Sequence, residues 1–405
     1  MLIYEYKLDG SQAQYTAIDE AIRIVQFIRN KCLRLWMDER GGQSISKNDL
    51  QVYCAVLAKA YPFATHLNSQ ARQASADRAW FAISRFYDNC KQHKPGKKGY
   101  PTFQHNNRSV EYKQTGWKLG PDGNHITFTD GCGIGRLRLV GNPKQQIAAF
   151  QPSQIKRVRM VHRADGYYVQ FGVKVDRVIE HVPTGKQVGI DVGLASYYTD
   201  SEGNTVENPR HYRKAEQKLK RLHRRVSRKH KKSSNRKKAR KQLARAYLNV
   251  QRQREDFARK TASTLVSSHD LIAYEQLQIR NMVKNHHLAK SIHDAGWGTF
   301  ISWVKAYGLM HAIPIIAVAP QFTSQECSIC GAMVKKSLSV RTHICTSCGV
   351  VLDRDQNAAL NILAKALACT LGHRETSSSS AEEENASGQT ASTRTPKRAT
   401  SKRAG

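Results

Sequence analysis

Val188-Gly189-Ile190-Asp191-Val192-Gly193-Leu194-Ala195-Ser196-Tyr197-Tyr198-Thr199 reads as an apolar strand, a turn and a second strand, and it leaves one carboxylate, Asp191, at the close of the first strand. A buried sheet starts here, where the character of the chain changes at Gln187. Working outward, the same placement recurs twice. Leu271-Ile272-Ala273-Tyr274-Glu275 is another apolar strand that closes on an acid, and Asp355 stands at the start of the last helix, which runs on through Ala358 to Leu371.

Taken singly, each of these acids would cap a turn or a helix. Taken together, a strand carrying Gly-Ile-Asp-Val-Gly, a later strand ending in Glu and a helix carrying Asp form the set with which RNase H-like nucleases hold two magnesium ions. Phosphodiester cleavage by such a pair, about 4 Å apart, needs acidic ligands on one edge of a sheet, one ion activating water and the other stabilising the leaving oxygen. Magnesium takes few protein ligands and completes its octahedron with water and phosphate. Asp353 and Asp355 compete for the third position. Asp353 is placed to N-cap the helix, accepting amides of its first turn, which leaves Asp355 to reach metal.

Just upstream, Cys327, Cys330, Cys345 and Cys348 form two CxxC pairs separated by fourteen residues. That is ligand spacing for one tetrahedral structural zinc, because each pair sets two thiolates on a tight turn and the turns face each other. The remaining cysteines, Cys32, Cys54, Cys90, Cys132 and Cys369, are scattered and read as small packed side chains in a reducing compartment. Arg341, between the two pairs, is a candidate to support catalysis by steering a scissile phosphate.

The chain has 405 residues, room for two or three domains, and its 65 Lys and Arg against 32 Asp and Glu give a formal charge of +33. A polyanionic partner balances such an excess. Membrane surfaces are polyanionic too, but no apolar run reaches about 18 residues and Met1-Leu2-Ile3-Tyr4-Glu5-Tyr6 lacks a signal-peptide layout, so a soluble intracellular protein is expected. The absence of a GxxxxGK[ST] loop argues against an ATP motor. Adjacent His286 and His287 do not make the His-x-His metal pair of a transposase with a tyrosine nucleophile.

Around these motifs the chain divides. Residues 1–9 alternate as a half-buried strand; a helical block follows (10–93), with Ile18, Ile22, Val25 and Ile28 at helix spacing; then 94–186 turns to β, punctuated by Gly and Pro. The N-terminal strand is expected to join a barrel formed by 94–186. Two helices, broken at Ser233-Ser234-Asn235, make a basic hairpin over 211–268 with a thin apolar stripe. Arg213, Lys220, Arg221, Arg224, Arg225, Arg228, Lys232, Arg236, Lys237 and Arg240 crowd it, opposed only by Glu216. Like charges at i,i+4 weaken a bare helix, so an anionic backbone is expected along it. Beyond 371 nothing remains to bury, and 372–405 reads as a disordered tail.

Gly189-Ile190-Asp191-Val192-Gly193, Tyr274-Glu275, Asp294-Ala295-Gly296-Trp297, Thr323-Ser324-Gln325-Glu326-Cys327-Ser328-Ile329-Cys330-Gly331 and Asp353-Arg354-Asp355-Gln356-Asn357-Ala358-Ala359 together resemble the TnpB family, the OrfB proteins of bacterial insertion sequences related to type V CRISPR effectors. The resemblance covers roughly 187–365 and is only an outline before that. It implies an α+β multidomain protein: a wedge-like β-barrel (1–9 and 94–186) with an inserted helical recognition domain (10–93), then an RNase H-like, RuvC α/β nuclease domain (187–371) with a zinc-ribbon insertion (322–350). The implied activity is RNA-guided cleavage of double-stranded DNA beside a short target-adjacent motif. A guide RNA from the end of the element would be the partner, one protein per RNA, in the nucleoid of a bacterial cytoplasm. Asp191, Glu275 and Asp355 match the catalytic positions, which would hold two magnesium ions, and the four cysteines match the ligands of one zinc. The rival expectations are a recombinase acting by strand transfer and a non-catalytic nucleic-acid-binding regulator.

Overall fold

Leu2–Asp9 alternates buried and exposed side chains as far as Ser11, where the chain turns into a helix, and this strand is β1. Ser11 sets the boundary. Its hydroxyl accepts the Gln14 amide at 3.3 Å while the Gln14 side chain accepts the Ser11 amide at 2.9 Å, a capping box that starts α1 (Gln12–Asp38). Ser46 and Asp49 open α2 (Lys47–Ala60) in the same way, and Asn68 caps α3 (Ser69–Lys91) through the Gln70 amide. The computed structural model describes residues 1–39, 44–143, 146–175, 178–337 and 340–383, the last fourteen as backbone only. They fall into two compact units: Met1–Arg177 with Leu222–Leu248, and Val178–Arg221 with the chain from Asn249 onward.

In the first unit, β2 (Ser109–Tyr112), β3 (Trp117–Leu119), β4 (His125–Phe128), β5 (Gly135–Val140), β6 (Ile155–Arg163) and β7 (Gly166–Val173) join β1 in a seven-stranded antiparallel sheet of order β2-β6-β7-β1-β5-β4-β3. The first strand of the chain is therefore the central one, paired to β7 along Leu2–Lys7 and to β5 along Lys7–Asp9. The expected barrel does not close. Among the described residues β2 and β3 share no ladder, because both are short and a tight link through Gly116 joins them; instead side chains bridge the gap, with the Tyr112 ring 5.0 Å from Phe128 and its hydroxyl donating to Asp130 at 2.6 Å. Nor do the helices form a separate core. Ile18, Ile22 and Val25 of α1 and Ala79 and Ile83 of α3 share one buried cluster with Leu8, Leu137, Val158 and Phe171 of the sheet.

The second unit is built on β8 (Gln187–Val192), β9 (Ser196–Asp200) and β10 (Thr205–Glu207), then the helices α4 (His211–Ser227) and α5 (Ser234–Ser267), then β11 (Leu271–Glu275). After short α6 (Ile279–Met282) come α7 (His286–Ala295), α8 (Trp297–His311), β12 (Ile315–Val318), the hairpin β13 (Thr342–Ile344) and β14 (Val351–Asp353), and α9 (Arg354–Glu383). The five-stranded sheet has order β10-β9-β8-β11-β12, antiparallel across β10, β9 and β8 and parallel across β8, β11 and β12.

Strand periodicity sorts its two faces. Val188 and Ile190 of β8 and Ile272 and Tyr274 of β11 pack with Ala258, Ala262 and Leu265 of α5 and Phe300 and Val304 of α8. Ala273 faces the other way and meets Ile362 and Ala366 of α9. The basic hairpin forms as two helices, but its tip, Leu222–Leu248, groups with the first unit, where Arg245 Nε donates to the Ala164 carbonyl at 3.3 Å. The last helix runs to Glu383, twelve residues past the expected start of the tail, since extending a formed helix costs little per residue. The rest of that tail lies outside the described residues. No helix among the described residues is long and apolar enough to cross a membrane.

Candidate active site

Strand pairing brings the first two acids together. The parallel ladder aligns Ala273 with Gly189 and Tyr274 with Ile190, so Asp191 and Glu275 follow side by side where the two strands end, about 4.8 Å apart in backbone spacing. Both share the face of Gly189 and Ala273, the one covered by α9. Gly189 lets the helix settle: a Cβ there would lie 2.1 Å from the Ala359 carbonyl oxygen. One helical turn before Ala359 stands Asp355, and two residues beyond Asp191 stands Gly193, whose Cβ position is 3.9 Å from Asp355 Oδ2. Helix and strand thus run in opposite directions, and the start of α9 lies over the end of β8. All three carboxyls, half-buried, gather at one sheet end.

Their electrostatics are those of crowded acids in a dry site. Burial, reinforced by the charges of Glu275 and Asp355, pushes the Asp191 carboxyl well above the ordinary range. Burial likewise raises Glu275, against a hydrogen bond donated by the Thr323 hydroxyl to its Oε1. Asp355 is raised by burial and held back by Arg341, whose Nη1 lies 3.2 Å from Asp355 Oδ2. A divalent cation would relieve exactly such a surplus of negative charge, so the residues fit the magnesium expected of them.

The choice between the two neighbouring acids is resolved as the helix logic required. Asp353 Oδ1 accepts the amides of Asp355 and Gln356 at 2.8 and 3.2 Å and so caps α9. Arg341 reaches Asp355 because β13 and β14 pair Thr342 with Asp353, and the Arg354 amide bonds the Arg341 carbonyl at 2.7 Å.

That hairpin is one of two matching knuckles. In each, the glycine after the CxxC returns its amide to the first cysteine, Gly331 to Cys327 and Gly349 to Cys345, both at 2.9 Å and both with φ near 73°. The four sulfurs lie within 4.8 Å of one another, with Cys330–Cys345 at 3.5 Å and Cys327–Cys348 at 3.7 Å. Tetrahedral zinc with bonds of about 2.3 Å spaces its sulfurs by about 3.8 Å, so the cluster has the dimensions of that ion. The amides of Cys348 and Ser347 hold the Cys345 thiol down at about 6, favouring the thiolate. The scattered cysteines differ: Cys32 and Cys54 are buried, Cys90 and Cys132 half-buried and Cys369 exposed.

Several supporting residues carried no signal that spacing alone could rank. Asn357 ties the first knuckle to α9, accepting the Ser328 amide at 3.0 Å and donating to the Glu326 carbonyl at 2.8 Å, and Asn361 donates to Thr323 and Glu326. Buried Asp294 accepts the amides of Tyr212 and Arg213 at 2.8 and 3.0 Å, capping α4 from another element. Trp297 Nε1 donates to the Gly193 carbonyl at 3.2 Å, fixing the turn that follows Asp191. These lie in the quoted Asp294–Trp297 and Asp353–Ala359 strings, which was the available clue.

The basic residues do not share one fate. Arg221, Arg224, Arg225, Arg228, Lys232, Lys237 and Arg240 are exposed. Lys220 and Arg213 instead flank Glu216, at 2.9 and 3.8 Å, with Lys290 at 2.8 Å, and the two lysines depress the Glu216 carboxyl to about 2. Arg236 departs from the expectation of nucleic-acid contact: it donates to the Val226 and Lys229 carbonyls at 3.2 and 3.0 Å, since the end of α4 leaves carbonyls that need donors.

Residues 170–286 match the family model OrfB_IS605, described as "Probable transposase", and residues 297–362 match the model of the Cas12f1-like TNB domain. Among curated proteins, a "Putative RNA-guided DNA endonuclease" of Streptomyces pristinaespiralis is 38% identical over 197 residues, 48% of this chain and 49% of the relative. "Putative RNA-guided DNA endonuclease InsQ" of Escherichia coli (strain K12) is 30% identical over 226 residues, 52% of this chain and 56% of the relative. The chain thus spans about half the length of the curated relatives it matches. A solved Cas12f1-sgRNA-target DNA complex superposes with a TM-score of 0.56 over 87% of this chain and 83% of that one, at 14% identity, which speaks to the fold alone.

Proposed function

Since the chain belongs to the TnpB family, we propose that it is an RNA-guided endonuclease of a bacterial insertion sequence that cuts double-stranded DNA beside a short target-adjacent motif. The observation that carries this reading is the register of β8 and β11, which ends both strands on neighbouring acids beneath a third on α9. On this reading Asp191, Glu275 and Asp355 hold two magnesium ions, and Cys327, Cys330, Cys345 and Cys348 hold one zinc. Bound magnesium supplies an activated water and stabilises the departing oxygen. The chain orients its ligands: Thr323 fixes Glu275, Arg341 steadies Asp355 and Trp297 anchors the turn after Asp191. Arg341 is also a donor for a phosphate oxygen.

The seven-stranded sheet with α1–α3 would serve as the wedge and recognition part, and the second unit as the RuvC nuclease. A guide duplex is held by its phosphates and A-form shape, work suited to the exposed arginines of the hairpin, with sequence read by the RNA.

The test is purification from cells that carry the native element, sequencing of the RNA that comes with the protein, and cleavage of DNA matching its variable end. A defined RNA, cleavage with magnesium and none with chelator or with Asp191→Ala are expected. The transposase description attached to residues 170–286 favours a second reading, strand transfer by the same acids. Joined products formed without RNA would establish it and overturn the first.

A further inference from the structure

An open cavity of about 590 Å³ lies within the first unit, lined by β1, β5, the β6–β7 turn and Lys241 of α5. Its wall carries a stack of three rings: Tyr15 on Tyr167 at 4.7 Å and 11°, and His162 on the other side of Tyr167 at 4.3 Å and 29°. Asp19 locks the stack, accepting the Tyr167 hydroxyl at 2.8 Å and facing His162 Nδ1 at 2.9 Å. One face of the His162 ring is covered by Tyr167, and its side chain is still 43% exposed. Four cations surround the cavity. Arg138 is paired with Asp9 at 2.8 Å and Arg163 with Glu5, whereas Lys7 and Lys241 are exposed and make no ion pair among the described residues.

An aromatic face beside two unneutralised ammonium groups is the chemistry of single-stranded nucleic acid: a base extends the stack and its phosphate meets the cations. The volume is within the range of small-ligand pockets, enough for one nucleotide. We infer that this cavity takes a single unpaired nucleotide of the bound RNA, base against His162 and phosphate between Lys7 and Lys241. The inference rests on the RNA-guided reading and adds to it a specific seat for one base.

The test uses the full-length protein and the RNA that co-purifies with it, measuring affinity at several salt concentrations for the wild type, His162→Ala, His162→Phe and Lys7→Ala with Lys241→Ala. His162→Ala, which leaves the formal charge unchanged, is expected to weaken binding about tenfold. His162→Phe keeps a ring in place and is expected to bind like the wild type. The double lysine variant should lower the slope of log affinity against log salt by about two. Wild-type affinity and slope in His162→Ala and the double variant, on a wild type that does hold RNA, would overturn the pocket and leave the guided reading standing. Equal weakness of His162→Phe and His162→Ala would overturn it too, since a ring face would then not be the contact. A wild type that carries no RNA would overturn the guided reading and the pocket with it.

Discussion

Arg341 Nη1 sits 3.2 Å from Asp355 Oδ2, so a guanidinium from the second cysteine knuckle already neutralises one of the three gathered acids. A cation at that place competes with magnesium for the carboxylate and is then free to bind a phosphate oxygen. Arg341→Ala is expected to saturate at lower magnesium yet cut DNA about ten- to a hundredfold more slowly, with guide binding unchanged. Cleavage rates against magnesium concentration separate the two effects; a variant with an unchanged maximal rate would show that the arginine acts on the carboxylate alone.

Asp191 is crowded by burial and by its two acidic neighbours. Asp191→Asn keeps the shape and removes one of the repelling charges. The metal-free variant should melt higher than the wild type at neutral pH while cleavage falls by about a thousandfold or more, the counterpart of several kcal/mol of lost transition-state stabilisation. Calorimetry and a plasmid-nicking assay check the two arms, and a lower melting point would mean that the carboxylate is paired rather than frustrated.

Gly189 has no room for a side chain, because its Cβ position falls 2.1 Å from a backbone oxygen of α9. Gly189→Ala must push the helix off the sheet, at a cost of about 1–3 kcal/mol. Thermal denaturation should show a loss of about 2–4 °C for each kcal/mol. Cleavage should fall further than stability alone explains, since Asp355 moves with the helix; normal activity at permissive temperature would refute that coupling.

Asp270 ties the starts of β8 and β11 together. Its carboxylate accepts the amides of Thr184 and Gly185 and the Thr184 hydroxyl, with His181 Nε2 at 2.7 Å, and its amide bonds the Lys186 carbonyl. The Thr184 amide first, then His181, hold this carboxyl below the usual range. A depressed folded value contributes stability above the unfolded value of about 3.9 and loses it as pH falls through the folded one. Wild type should therefore melt above Asp270→Asn by a constant margin from about pH 6 to 8, narrowing below about pH 4. A margin that widened in acid would reverse the assignment.

Metal analysis should find one zinc per chain, and Cys330→Ser with Cys348→Ser should remove it. Zinc contributes about 10–16 kcal/mol in small peptide sites, so the knuckles should unfold without it. Because β13 and β14 carry Arg341 and Asp353, cleavage should be lost while far-ultraviolet circular dichroism keeps most of its signal. Full zinc content in the double variant would exclude the four-sulfur site.

Local spacing was sufficient wherever a residue's partner lies within a few positions. Acids closing apolar strands, the two CxxC pairs, the Asp353 cap and the break between the two basic helices all rest on strand alternation or on contacts one helical turn apart. Partners distant in the chain were decided only by folding. Whether the first sheet closes depends on which edges meet, and two short strands joined by a tight link leave it open. Arg341 finds Asp355, Asp294 finds the amides of α4 and Arg236 finds the carbonyls at the end of α4 because register and helix packing bring them within hydrogen-bonding reach. A sequence of residue types carries no such distance; it supplies the groups, and the packing of backbone against backbone, as at Gly189 and Ala359, determines which of them meet.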